Sequence, residues 1–391
     1  MAKMSVVMLG PDGCGKTLYL AVLLKQQFVA NSQNRWQLQP IHAGQMVFLN
    51  RVYTILTNRD EDFPQHNRRD ELIDYEFQVH VSGTHEPFTP LSLSYLDFAG
   101  EILYTAQEGE PVIEEFSRRV KTADVVMGLF DGQDVLELME HGAASSGLWH
   151  LKYGALLGWL ASNMNQMRGP VHFVVTKWDL LDAAGYAFAD VKARLLGFAH
   201  FRAFAHRETI PTYLPGLHQT VERVYPTSFL IPVSTLGAGF AYLDGNTMVK
   251  AGRTEVSPID LTIPLALAVC NGIWVRWSRT ENAEIVEGAE HFSPTIKDII
   301  AALANVIEPI TPGAIVSLVR LGVVLRRWLE QRGYDKRLDI DWLRQRREQY
   351  RNGEQQINNE GDAFEALVCD LALQIAEFKL ANPEAHLKVE R

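Results

Sequence analysis

Residues 10–17, Gly-Pro-Asp-Gly-Cys-Gly-Lys-Thr, constrain this chain more than any other stretch. They match G-x-x-x-x-G-K-[ST], in which glycines let successive backbone N–H groups turn inward around an anion. The apolar run Met4-Ser5-Val6-Val7-Met8-Leu9 precedes them and reads as a short buried strand. Leu18 to Phe28 follows and reads as a helix, whose positive N-terminal end would face the same anion. Strand, glycine loop and helix in this order make a phosphate-binding loop rather than an ordinary glycine turn. Its candidate contacts are Gly10, Asp12, Gly13, Cys14, Gly15, Lys16, Thr17 and Leu18. Lys16 is expected to reach the terminal phosphates and the Thr17 hydroxyl to ligate Mg2+.

Other features bound the class. The 391 residues suffice for two or three domains with ample core. A formal charge of −10 argues against a general nucleic-acid binder. The three cysteines, Cys14, Cys270 and Cys369, lie too far apart for a disulfide framework or a zinc site. Cys14 sits inside the loop and is a candidate for oxidation, with its side chain expected to point away from the phosphates. A strand beginning almost at once leaves no room for a signal peptide. The longest apolar run, Ile259 to Val275, is too short and too interrupted to span a membrane. A cytoplasmic location is the expectation.

Further along, Arg35 to Gln39 reads as extended and Gly44 to Asn58 as a helix. Leu72 to Val81 and Leu91 to Asp97 read as a hairpin of two strands. Residues 102–122 read as a polar, mobile segment. Ala123 to Asp131 reads as a buried strand, 132–147 as a glycine-bearing linker, and 148–167 as a helix. Val171 to Val175 and Phe229 to Val233 read as two more strands. Helices are expected at Phe188 to Arg207, Ile259 to Arg279, Pro294 to Ile307, Gly313 to Arg332, Ile340 to Arg351 and Ala363 to Leu380. From Arg320 to Arg351 ten Arg or Lys stand against five Asp or Glu, a local basic stretch that reads as a solvated helical face or a partner contact.

Two strand ends carry further chemistry. Asp97 closes a buried strand as Asp97-Phe98-Ala99-Gly100-Glu101, and a buried carboxylate is costly without a role. Opposite Thr17 the role is to hold the Mg2+ shell, while Gly100 would let an N–H approach the last phosphate. Thr176-Lys177-Trp178-Asp179 ends another strand. A carboxylate there can accept from both guanine N1–H and N2–H2, a donor pair that adenine lacks. The Lys177 stem would pack along the base, and Ser234, Thr235 and Leu236 would offer backbone N–H groups to guanine O6.

In this order the motifs resemble Ras-like P-loop GTPases of the translation-factor-related class, over roughly residues 1–280. The GPDGCGKTLYL opening and the DFAGE motif are similar to the bacterial double-GTPase families of conflict and defence systems. The resemblance implies a three-layer α/β fold with a mostly parallel sheet and one antiparallel strand. It implies insertions at about 31–70 and 180–224, then a C-terminal helical domain over 281–391. It also implies GTP and GDP as ligands, Mg2+, and a switch that signals to an unidentified partner protein through its loops or helical tail. Lys16, Gly100 and Glu101 would face the reacting phosphate.

Three departures from the family point to slow turnover or to binding without hydrolysis. No Thr stands near 63–68 to ligate Mg2+, which leaves Asn67, Thr84 or Thr89 as stand-ins. Glu101 replaces the water-orienting Gln, and Asp12 brings negative charge into the loop. Ras-type hydrolysis is slow without an arginine finger, and Arg59, Arg68, Arg69, Arg118 and Arg119 are the nearby arginines. The alternatives are a pseudo-GTPase interaction scaffold and a P-loop ATPase.

Overall fold

The computed structural model describes residues 2–28, 35–64, 73–99, 110–142, 145–205, 210–214, 219–223, 228–245, 247–252, 255–279 and 340–387. Seven strands form one sheet: β1 (Ala2–Gly10), β2 (Trp36–Pro40), β3 (Ile73–Ser82), β4 (Pro87–Ala99), β5 (Val125–Phe130), β6 (Val171–Val175) and β9 (Leu230–Pro232). Their order across the sheet is β2-β3-β4-β1-β5-β6-β9. β4, β1, β5, β6 and β9 run parallel, while β3 is antiparallel to both neighbours. Two small hairpins lie outside the sheet, β7 (Ile210–Leu214) with β8 (Gln219–Arg223), and β10 (Ala241–Asp244) with β11 (Thr247–Lys250).

Central strands of a parallel sheet are covered on both faces and must be apolar on both. β5 is buried at every position, and β1 alternates Met4, Val6 and Met8 toward one face with Val7 and Leu9 toward the other. The first face carries α1 (Lys16–Phe28), α2 (Ala43–Thr57), α9 (Ile263–Arg279), α10 (Ile340–Arg351) and α11 (Glu360–Ala381). The second carries α3 (Pro111–Thr122), α4 (Gly132–His141), α5 (Ser146–Asn163), α6 (Trp178–Ala183), α7 (Phe188–Leu196) and α8 (Ala199–Ala205). This is the three-layer, mostly parallel P-loop GTPase fold with one antiparallel strand that the motif order implies.

The structure corrects four local expectations. Residues 111–122 are a packed helix rather than part of a mobile polar segment, because Phe116 and Val120 fall on one face and pack into the second core. The expected linker at 132–147 contains α4, whose N-cap Asp131 accepts a hydrogen bond from Gln133 N and whose Val135 and Leu138 are buried. The expected helix at 188–207 is two helices, with Gly197 at the break. The expected helix from Ile259 starts at Ile263, after Asp260 at a φ of 53°. The helices expected at 294–307 and 313–332, and the 280/281 domain boundary, lie outside the described residues or at their edge.

The last two helices join the first face of the sheet. Leu367, Val368, Leu371, Ile375 and Phe378 of α11 are buried, each contributing about 2 kcal/mol of apolar burial. Polar ties fix the register. Trp36 Nε1 donates to Asp370 Oδ2 at 3.0 Å, Thr84 N to Ile357 O at 2.9 Å, and Arg346 to Glu365 at 2.6 Å. Among the described residues no helix is long and apolar enough to cross a membrane.

His172, fully buried on β6, supplies a test of this packing. Its Nδ1 accepts from Phe229 N at 3.3 Å, so the proton of the neutral ring sits on Nε2, 2.9 Å from the Asn271 side-chain amide. The atom placed there is Asn271 Nδ2, and an amide turned over so that its oxygen faced Nε2 would accept that proton. Burial, aided by neighbouring His386, pushes the His172 pKa down to about 3. The unfolded chain takes up this proton near pH 6.5. The histidine is therefore no burden to folding above that pH, and stability is lost as pH falls from there toward 3. The slope from this one group approaches about 1.4 kcal/mol per pH unit. In urea titrations between pH 6 and 4, His172→Gln should flatten the stability profile by that amount. Parallel profiles would exclude the histidine as the cause.

Candidate functional site

Parallel strands deliver their carboxyl ends to one edge of the sheet, and the sequence motifs occupy those ends. β1 ends in Gly10, and the chain turns through Gly13 and Gly15, at φ values of 80° and 90°, into α1 at Lys16. A side chain would strain both glycines, since left-handed backbone is costly for L residues. Gly10 is needed for a different reason. A Cβ there would sit 2.6 Å from Cys14 Sγ and 3.0 Å from Leu129 O. The Cys14 side chain thus plugs the underside of the loop, fully buried.

Lys16 is also buried, and its ammonium donates to Gly10 O at 2.9 Å and Pro11 O at 3.1 Å. Asp97 Oδ1 lies 4.0 Å away, and Thr17 Oγ1 donates to Asp97 Oδ2 at 3.0 Å. Burial opposes the charge on Lys16, but the Cys14 thiol, Asp97 and Asp12 outweigh it and leave the pKa above its ordinary value. Burial raises Asp97 in turn, opposed by Lys16 and the Thr17 hydrogen bond. One hydroxyl and one carboxylate in contact suit Mg2+, which keeps most of its shell for phosphates and water. Among the described residues no cluster of three or more His, Cys, Asp or Glu side chains could cage a metal by itself.

The second half of the site hangs from β6 and β9. Thr176, at 1% exposure, places Oγ1 2.8 Å from Cys14 O and 3.1 Å from Phe130 O. Its proton therefore ties the end of β6 to the phosphate loop and to β5. Lys177 follows in left-handed backbone, φ 51°, and its ammonium donates to Asp131 Oδ2 at 2.7 Å. Asp179 lies in the first turn of α6, where Oδ1 accepts from Ser234 Oγ at 2.5 Å. Ser234 Oγ accepts from Gly237 N at 3.0 Å, so the loop after β9 is folded around this hydroxyl. Lys16 and Asp179 thus stand on one edge, with β1 and β6 two strand spacings apart, about 10 Å.

Some sequence expectations change here. Ser234 N donates to Ile259 O at 3.2 Å, so its N–H is already engaged and does not serve the expected contact with a base. Thr84 and Thr89 lie at the hairpin end of β4, and Thr89 is eight residues, about 26 Å, from Asp97 along an extended strand, so neither can replace the Mg2+-binding Thr. Arg118 is held by Glu115 at 2.6 Å, and Arg119 by Glu115 and by Asp74 at 2.8 Å. Gly100, Glu101, Asn67, Arg68 and Arg69 lie outside the described residues. Sequence reasoning missed Asp131 as a site residue, although it too is an acid closing a buried strand, the signal that singled out Asp97.

No protein-family profile matches the chain, and no curated protein matches it. Among solved structures it is similar to the FeoB G-domain from Methanococcus jannaschii. The identity is 14%, the match covers 60% of this chain and 88% of that one, and the TM-score is 0.24.

The expectation that Cys14 is oxidisable is corrected as well. Its thiol is fully enclosed, and burial pushes its pKa up to about 11, only partly offset by Lys16. A thiol without thiolate or access is inert. Cys270 and Cys369 are buried too. At pH 8 a thiol reagent should leave all three cysteines of the native protein unmodified while labelling all three in denaturant. Prompt labelling of Cys14, mapped by mass spectrometry, would contradict the placement of its side chain.

Proposed function

We propose that this chain binds guanine nucleotides with Mg2+ at the edge described above and works as a slowly hydrolysing GTP switch. The observation that carries the reading is the Thr176 hydroxyl bonded to the Cys14 carbonyl, because it ties the candidate base reader to the phosphate loop. In this reading the phosphates displace the Gly10 and Pro11 carbonyls from the Lys16 ammonium. Thr17 and Asp97 hold Mg2+, and Asp179, oriented by Ser234, accepts the two guanine donors. The segments 59–71 and 98–120, the second of which runs into α3, would respond to the last phosphate. A partner protein would read them, directly or through the helices of the proposed 281–391 unit. The GPDGCGKT and DFAGE motifs support grouping the chain with translation-factor-related and bacterial double-GTPase proteins.

A second reading has its own support. The Lys16 ammonium is already satisfied by the loop's carbonyls, and Asp12 adds negative charge beside the phosphate site. Those features suit a protein that binds nucleotide without hydrolysing it and serves as an interaction scaffold. Phosphate release distinguishes the two. A switch should release phosphate from GTP above the Lys16→Ala background, whereas equal rates would favour the scaffold.

Titration with fluorescent GTP, GDP and ATP tests the base assignment. Preference for guanine should be about a hundredfold or more, because a carboxylate covered by a base that offers it no donors is heavily penalised. Asp179→Asn should turn that preference toward xanthine nucleotides. Equal affinity for ATP and GTP in the native protein would overturn the assignment.

A further inference from the structure

The end of β5 is built into the site in a way the motifs do not announce. Asp131 follows Phe130 and is nearly buried, with both carboxylate oxygens committed. Oδ1 accepts from Gln133 N at 2.9 Å and caps α4, and Oδ2 accepts from the Lys177 ammonium at 2.7 Å. The backbone N–H of Asp131 donates to Tyr153 Oη at 3.0 Å, and that hydroxyl donates to Asp134 at 2.7 Å. The carboxylate is therefore held by its own helix, and the Asp131 backbone by α5, before any nucleotide arrives.

The close approach needed for this contact has a second signature. A Cβ at Gly132 would lie 2.2 Å from Thr176 O and 2.7 Å from Lys177 O. Only glycine lets the first turn of α4 press against the backbone of the Thr176-Lys177 turn. Thr176 N in turn donates to Phe130 O at 2.9 Å. Lys177 pays for its position with left-handed backbone, a conformation that persists only where neighbours enforce it.

We propose that Asp131 is a positioning residue for nucleotide binding, acting through Lys177. This rests on the guanine-nucleotide reading given above. The ammonium of a long, flexible side chain is anchored by a rigid carboxylate, so the four-carbon stem lies as a fixed rail where the base would stack. Without the anchor, binding must first order a free lysine, at a cost in rotamer entropy. Asp131 does not touch the base donors, so it governs how long a nucleotide stays and not which base is chosen. That division separates it from Asp179.

Asp131→Asn tests this in the full chain, because Asn caps a helix as well as Asp does but forfeits the charged partner. Release of fluorescent GDP should accelerate about tenfold, the weight of one hydrogen bond to a charged group. The ratio of GTP to ATP affinity and the melting temperature should stay as in the native protein. Lys177→Met should accelerate release similarly, and the double variant should be no faster than Lys177→Met alone. Unchanged release in Asp131→Asn, or effects of the two changes that multiply, would overturn the proposal. So would a fall in melting temperature that accounts for the whole loss of binding. Should Asp131→Asn fail to fold, Lys177→Met, which leaves the cap intact, decides alone, and unchanged release there overturns it. Failure of the native protein to bind any guanine nucleotide is a separate outcome that removes the functional reading and this proposal together.

Discussion

A single hydroxyl holds the two halves of the site together. Thr176 Oγ1 sits between the carbonyls of Cys14 and Phe130 in a place water does not reach. Its proton is shared between these two backbone acceptors, and the Phe130 carbonyl also accepts from Thr176 N. It also sets the distance between β6 and the phosphate loop, so the geometry of Lys16 relative to Asp179 depends on it. A shift of β6 against the loop would break the bond to the Cys14 carbonyl.

Around that tie the edge of the sheet is a set of charges held ready in pairs. Lys16 lies near Asp97, Lys177 bonds Asp131, and Asp179 takes the Ser234 hydroxyl. Buried charge is tolerated only when paired. Here the partners are groups that a nucleotide would replace or share. The Lys16 and Asp97 pKa values rise for linked reasons. Burial pushes Asp97 up, while the acids and thiol around Lys16 overcome the burial that would push the ammonium down. In the proposed reading such an edge awaits an anionic ligand bearing a cation, and the glycines at φ 80° and 90° keep side chains out of the loop that would hold its phosphates.

Much of this was legible from local pattern. A glycine loop between an apolar strand and a helix, an Asp ending a buried strand, and Thr-Lys-x-Asp ending another are contiguous signals, and each depends on residues within one turn of chain. The charged helix at 111–122 was not legible as regular structure, because its apolar stripe is thin and its flanks are polar. Residues 132–141 looked like a linker because Gly132 leads them, although Asp131 is a good N-cap. Gly132 makes sense only once Thr176 O is known to lie 2.2 Å from where its Cβ would be. The Lys177 partner lies 46 residues back in the chain, a separation at which local pattern carries no information.

The amino-acid sequence by itself determined the strand alternation, the phosphate loop and the identities of the groups at the strand ends, because those follow from side-chain period and from backbone freedom at glycine. Tertiary structure decided which groups meet. It brought Asp131 to Lys177 and Ser234 to Asp179, turned Cys14 inward as a plug, and returned α11 to the first face of the sheet, where Asp370 receives the Trp36 indole N–H. The reason is physical. A pairing between distant segments is selected by the packing of the whole core and by the need to satisfy every buried polar atom, and no window of sequence contains both partners.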